Sequence, residues 1–173
     1  PLRGGHVEIG GIAMDDGSAA GLRSRMAWMG QKPHVFAGTV HANVALADPR
    51  ASRAGVHKAI QLAGLEQVDQ AHPAASLGEG GMGLSGGEMR RLALARLALR
   101  AEAADLLLVD EPTAHLDSDT AGQVSEALLS IARGRTLIVA THDPQLAGRM
   151  DRVIHLGGAQ PLPQREEAER AVA

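Results

Sequence analysis

An α/β domain with a largely parallel sheet is predicted by three features of the chain. The run Leu106–Val109 is short and fully apolar, the mark of a strand buried on both faces of a parallel sheet, and Thr136–Thr141 is another apolar, β-branched run. Apolar residues recur at helical spacing in Val124, Leu128 and Ile131, and an Ala/Leu/Arg stretch runs from about Glu88 to Arg100. Strand and helix signals alternate, the order expected of helices layered on a parallel sheet.

Each element has its own signal. Val7-Glu8-Ile9 alternates and ends at Gly10-Gly11, a short strand closing on a turn. Residues 19–24 read as a brief polar helix, and Met26–Met29 as a strand that stops at Gly30-Gln31. Pro33 to Asn43 has little periodicity and reads as loop. Val56, Ala59, Ile60 and Ala63 share one helical face that Gly64 ends. Gly78–Gly87 holds six glycines, too many for a regular element. Beyond the two apolar strands, Asp143-Pro144 opens a helix, with a capping residue before Pro at the first position. Val153–Leu156 reads as a last strand, and 161–173 as a polar tail.

Composition narrows the class. The chain has 173 residues, enough for one domain with a real core. Its formal charge of −3 excludes a basic nucleic-acid grip by bulk charge. No apolar run approaches the roughly 18 residues that span a bilayer, so the chain by itself is expected to be soluble. Without cysteine there is no disulfide frame, thiolate metal site or thiol nucleophile. Trp28 and Phe36 are the only aromatic residues of the Phe, Trp and Tyr group, so the core must be aliphatic.

Two segments carry chemistry. Leu84-Ser85-Gly86-Gly87-Glu88 opens the Ala/Leu helix, with Ser85 and Glu88 at capping-box spacing. Its glycines admit a close ligand, and the positive helix end suits a phosphate. The same segment also reads as a Gly-rich loop before an ordinary capped helix. Leu106–Val109 delivers Asp110 and Glu111 to a strand end, followed by Pro112. An Asp there can hold Mg²⁺ through water, and a neighbouring Glu can take a proton from an attacking water. Adjacent acids at an apolar strand end are electrostatically awkward without a cation. Thr141-His142 ends the next apolar run and Gln31 follows the Trp28 strand; neither is a signal alone.

Taken together, and with Ala114-His115-Leu116-Asp117 between them, these segments resemble the nucleotide-binding domain of ATP-binding cassette (ABC) proteins. Leu84–Glu88 is similar to the family signature, Leu106–Glu111 to its Walker B strand with the catalytic Glu, and Ala114–Asp117 to its D-loop. Gln31 matches the Q-loop and His142 the switch His. The resemblance spans Val7 to Leu156 and implies a P-loop NTPase-like layered fold with a helical signature subdomain at about 40–100, within a partial domain at 1–160. It implies ATP as substrate and Mg²⁺ as cofactor. Asp110 would bind the ion through water with Gln31 completing its shell, Glu111 would polarise the attacking water, and His142 would contact the γ-phosphate. Ser85, Gly86, Gly87 and Glu88 would close over ATP on a second nucleotide-binding domain, with Asp117 at the seam. The stretch from Gln31 to Val44 resembles exporter-type subunits, implying a transmembrane domain outside this chain and a place on the cytoplasmic face of the inner membrane. Glu88 in the signature, with Arg90–Arg96, Pro112–Asp117 and Thr141–Asp143, resembles bacterial thiol exporters, heterodimers that export cysteine or glutathione and are needed for cytochrome bd assembly.

One family feature is absent. No Gly-x-x-x-x-Gly-Lys-[Ser/Thr] loop occurs, and the only lysines are Lys32 and Lys58. In the family that loop precedes the segment matching Leu2–Gly10, so the N-terminal portion of the domain is expected to be missing and the chain alone to hydrolyse ATP negligibly. That absence admits a second reading, a non-catalytic module that pairs with a complete cassette. Retention of Glu111 and His142 argues against it. A DNA-repair or chromosome-maintenance ATPase is disfavoured, because only a compact segment without heptads separates Gln31 from Leu84 and no basic stripe is present.

Overall fold

The computed structural model describes residues 5–71 and 77–156. The predicted polar tail at 161–173 lies outside the described residues.

The chain opens with a hairpin, β1 (Glu8–Ile9) antiparallel to β2 (Ile12–Ala13). Gly10 and Gly11 both have positive φ, 58° and 80°, which a two-residue turn of this hand requires of its central residues. The second strand of the pair is two residues long and had no readable alternation. Helix α1 (Ala19–Ser24) and strand β3 (Met26–Met29) follow as expected.

Two helices appear where no residue pattern predicted one, both within the 40–100 stretch that the resemblance implied to be helical. Helix α2 (Val40–Ala45) occupies the end of the supposed Pro33–Asn43 loop. Thr39 caps it by accepting the Ala42 N–H at 2.9 Å, and Val40, Asn43 and Val44 are buried. Six residues are too few to establish a period, so cap and burial carry this helix. Asn43 is 1 % exposed yet fully engaged: its Oδ1 accepts from Phe36 N–H and Arg96 Nη2, and its Nδ2 donates to Phe36 O and Thr39 O. Helix α3 (Arg53–Leu62) buries the predicted face, and the second unpredicted helix is α4 (Glu66–Ala71), a polar turn or two.

Helix α5 (Gly86–Ala101) starts two residues earlier than the sequence suggested, so Gly86 and Gly87 form its first turn and do not belong to the loop. Strand β4 (Leu106–Asp110), helix α6 (Ser118–Ala132), strand β5 (Thr136–Ala140) and the short α7 (Pro144–Ala147) complete the order.

The sheet runs β3-β4-β5, parallel throughout. One face, built from Ala27, Met29, Leu107, Val109, Leu137 and Val139, joins the core with α5 residues Leu92, Leu94 and Leu97 and α6 residues Val124 and Leu128. On the other face the cross-strand row Trp28, Leu108 and Ile138 is open, with Trp28 72 % and Ile138 55 % exposed. The expectation that Leu106–Val109 is buried on both faces therefore fails at Leu108, which is only half-buried. Val153–Leu156 is not a strand. A strand exists by pairing its backbone groups, and among the described residues none flanks this segment, which lies exposed.

Candidate functional site

Parallel register brings the predicted residues to one edge. Met29 pairs with Val109 and Val109 with Val139, so all three strands leave the sheet on the same side. Gln31 lies just past β3, Asp110 ends β4 and is followed by Glu111, and His142 lies just past β5. The carboxyl edge of an open parallel sheet is where such folds bind ligands.

Glu111 is the strained residue of this edge, with φ at 48°, a conformation that costs a side-chain-bearing residue about 1–3 kcal/mol. Its N–H donates to Ala140 O at 2.8 Å, which ties the turn to β5. Its Oε2 stands 2.8 Å from His142 Nδ1, where the Glu111 side chain is 19 % exposed and the imidazole 77 %. Hydrogen bonding to Glu111 and its negative charge raise the His142 pKa above the ordinary 6.5, with a smaller contribution from Asp143. When the imidazole is neutral at Nδ1, the buried Oε2 has no donor.

The loop carrying His142 is held on both sides. Thr141 Oγ1 accepts the Asp143 N–H at 3.0 Å, and Asp143 caps α7 through Gln145 N–H at 2.9 Å. Thr113, just after Glu111, donates its hydroxyl to Asp143 at 2.9 Å, linking the two strand exits. Burial pushes the Asp143 carboxyl up, but these hydrogen bonds outweigh it and leave its pKa lowered.

The residues of the predicted signature form a second cluster. Ser85 caps α5: its Oγ accepts the Glu88 N–H at 3.3 Å, and the Ser85 N–H donates to Glu88 Oε2 at 2.7 Å. The capping box is complete, so the Glu88 carboxylate already serves the helix end. Gly87 packs on α6, where an added Cβ would meet Thr120 Cγ2 at 3.2 Å; at Gly86 an added Cβ would meet nothing within 4 Å. Asp117 caps α6 through the Thr120 N–H at 2.9 Å, and that bond lowers its pKa. A cleft of about 250 Å³ runs between the clusters, lined by Gln31, Lys32, Pro33, Gly86, Met89, Arg90, Ala114, His115 and Leu116. It is smaller than the roughly 300–1,000 Å³ pockets that enclose a drug-sized ligand, so it does not enclose a nucleotide by itself.

Sequence reading passed over Arg90, Thr113 and Asn43. Arg90 and Thr113 act on groups 59 and 30 positions away, and Asn43 bonds Arg96 across 53 positions besides its nearer partners Phe36 and Thr39.

For a metal, no cluster of three or more His, Cys, Asp or Glu occurs among the described residues. Among the described residues, Asp110, Glu111 and Gln31 are the candidates the strand edge offers, since the Asp143 carboxylate is taken up by Thr113 and the α7 cap. This sparse oxygen set fits Mg²⁺, which keeps most of its waters and takes one or two carboxylates with substrate phosphates.

Comparisons with known proteins bear on the family and the fold. The family model described as ABC transporter matches residues 1–114, and one described as an AAA domain, putative AbiEii toxin of a type IV toxin–antitoxin system, matches 83–148. The chain is 37 % identical over 151 residues to the glutathione/L-cysteine transport system ATP-binding/permease protein CydC of Escherichia coli K12, covering 87 % of this chain and 26 % of that protein. It is 35 % identical over 159 residues to the ATP-dependent lipid A-core flippase of Burkholderia thailandensis, covering 90 % and 26 %. The chain thus spans about a quarter of the length of these relatives. The solved structure of a bacterial Atm1-family ABC exporter with ATP bound superposes with a TM-score of 0.63 at 30 % identity, covering 74 % of this chain and 23 % of that one. A matched family model over most of the chain, on a parallel sheet with its acidic strand end in place, shows that the chain belongs to the ABC transporter family.

Proposed function

We propose that this chain is part of the ATP-binding and ATP-hydrolysing cassette of an ABC exporter, which powers transport across a bacterial inner membrane from its cytoplasmic face. One observation carries the reading. Three parallel strands deliver Gln31, Asp110, Glu111 and His142 to one edge, with Glu111 strained and 2.8 Å from His142.

Glu111 orients the attacking water and accepts its proton. His142, charged when protonated beside Glu111, faces the solvent side where a γ-phosphate would arrive and holds charge there. Asp110 and Gln31 hold Mg²⁺ through its waters; bound there, the ion neutralises phosphate charge as it develops. Ser85, Gly86 and Gly87 present the first-turn N–H groups of α5 outward, and the open surface at Gly86 suits a phosphate carried by a second cassette. Asp117 lies beside that surface. Two cassettes closing head to tail over ATP would move the transmembrane domains. No helix among the described residues is long and apolar enough to cross a membrane, so those domains lie outside the described elements. Within the exporters, a thiol such as cysteine or glutathione is the narrower proposal, supported by the likeness to a protein named for that transport. The chain by itself, without a Gly-x-x-x-x-Gly-Lys loop, turns ATP over negligibly in this reading.

The test is Glu111→Gln in the longest polypeptide that the gene encodes. ATP should still bind while turnover drops by about 10²–10⁴, the usual contribution of a general base. Unchanged turnover would remove Glu111 as the base.

A further inference from the structure

The carboxyl edge of the sheet and the first turns of α5 are separate clusters, yet one side chain joins them. Arg90 lies on α5 and is 7 % exposed, one of few buried charged residues. Its Nη1 donates to the backbone carbonyl of Gln31, across 59 positions of sequence. It lines the cleft together with Gln31 and Gly86.

A buried guanidinium is costly unless its charge and its donors are met. Burial lowers the Arg90 pKa, and the negative charges of Glu111 and then Asp110 oppose that shift. Arg91 makes an instructive contrast. It follows directly but bonds the Gly64 carbonyl at 3.4 Å and the Gln123 side chain, away from the sheet edge. Of the two arginines, then, one braces the helix layer and the other reaches the site.

We propose that Arg90 is a positioning residue that latches the Gln31 segment to α5, so that the metal-facing edge and the phosphate-facing helix turn move as one body. This rests on the nucleotide reading given above for its metal consequence, but the latch itself does not. A backbone carbonyl is a suitable target for such a latch, because it places the Gln31 main chain and leaves the Gln31 amide side chain free. Arg presents its donors in a planar, pre-organised fork, so one nitrogen can hold the carbonyl in a fixed direction. Groups that orient metal-facing residues in this way are worth about 10–100-fold in metal affinity.

The test compares wild type with Arg90→Met, Arg90→Gln and, as a brace control, Arg91→Met in the full-length polypeptide. The first readout is amide hydrogen exchange in ligand-free protein over residues 30–36. Exchange there should rise about tenfold in both Arg90 variants and stay at the wild-type rate in Arg91→Met. An unchanged rate, or an equal rise in Arg91→Met, overturns the latch. If Arg90→Met does not fold, Arg90→Gln, too short to reach the carbonyl but still polar, decides alone. The second readout is the Mg²⁺ concentration that supports binding of the non-hydrolysable adenylyl imidodiphosphate. It should rise about tenfold in the Arg90 variants. An unchanged Mg²⁺ requirement overturns the metal consequence. Failure of the analogue to bind wild type would instead sink the nucleotide reading and the metal consequence with it, while the exchange result would still decide the latch.

Discussion

Glu111 and His142 show how a single contact sets a titration. The imidazole is held in its charged form by hydrogen bonding to Glu111 and by that residue's charge, so its midpoint lies above 6.5. Because the folded value is raised, the stabilisation from this pair is fully present below the unfolded pKa and fades as pH rises through the folded one. Ring-proton NMR should therefore report a His142 midpoint above 6.5, and Glu111→Gln should return it toward 6.5. A midpoint unmoved by that substitution would break the pair. At this scale the site was partly legible in sequence: Asp110-Glu111 after an apolar run is an unusual pattern with few explanations. The left-handed backbone of Glu111 was not legible, because it is imposed by the turn that reaches back to Ala140.

Among the elements, α5 does most to organise the site, and its first turn holds two glycines with different surroundings. An added Cβ at Gly86 meets nothing, whereas at Gly87 it presses on Thr120 at 3.2 Å. Gly86→Ala should leave the denaturation midpoint within about 0.5 kcal/mol of wild type, or raise it, since Ala is the better helix former. Gly87→Ala should be less stable than Gly86→Ala, by about 1 kcal/mol if the Thr120 methyl holds its place. If Gly86→Ala then loses ATP turnover with its stability intact, the loss reports on a partner or phosphate that approaches from outside. Equal stability of the two variants would contradict the packing of α5 on α6. The short α2 teaches the same lesson from another side. Thr39 and the Val40/Val44 pair were in plain view, but a six-residue helix has no period, and only Arg96 and Phe36 closing on Asn43 make it worth forming.

Over the whole molecule, the sheet is covered on one side by α5 and α6 and open on the other. Leu107 points into the core and is fully buried, while Leu108 points to the open row. Leu107→Ala should cost about 2–5 kcal/mol in chemical denaturation of the 173-residue chain, and Leu108→Ala well under half of that. Equal costs would mean that the second face is covered too. The same geometry explains what the amino-acid order determined by itself. Apolar runs, helical spacing and capping residues are local, so β3, α3, α5, β4, α6 and β5 and the acidic pair Asp110-Glu111 could be read directly, whereas Gln31 and His142 were picked out only through the family resemblance. Tertiary structure alone decided the rest. The Val153–Leu156 run has strand composition yet forms none, because pairing partners are not written in a segment's own residues. Arg90 looked like one more arginine on a helix, and its reach to Gln31 exists only because β3 and α5 pack together, far apart in sequence and adjacent in space.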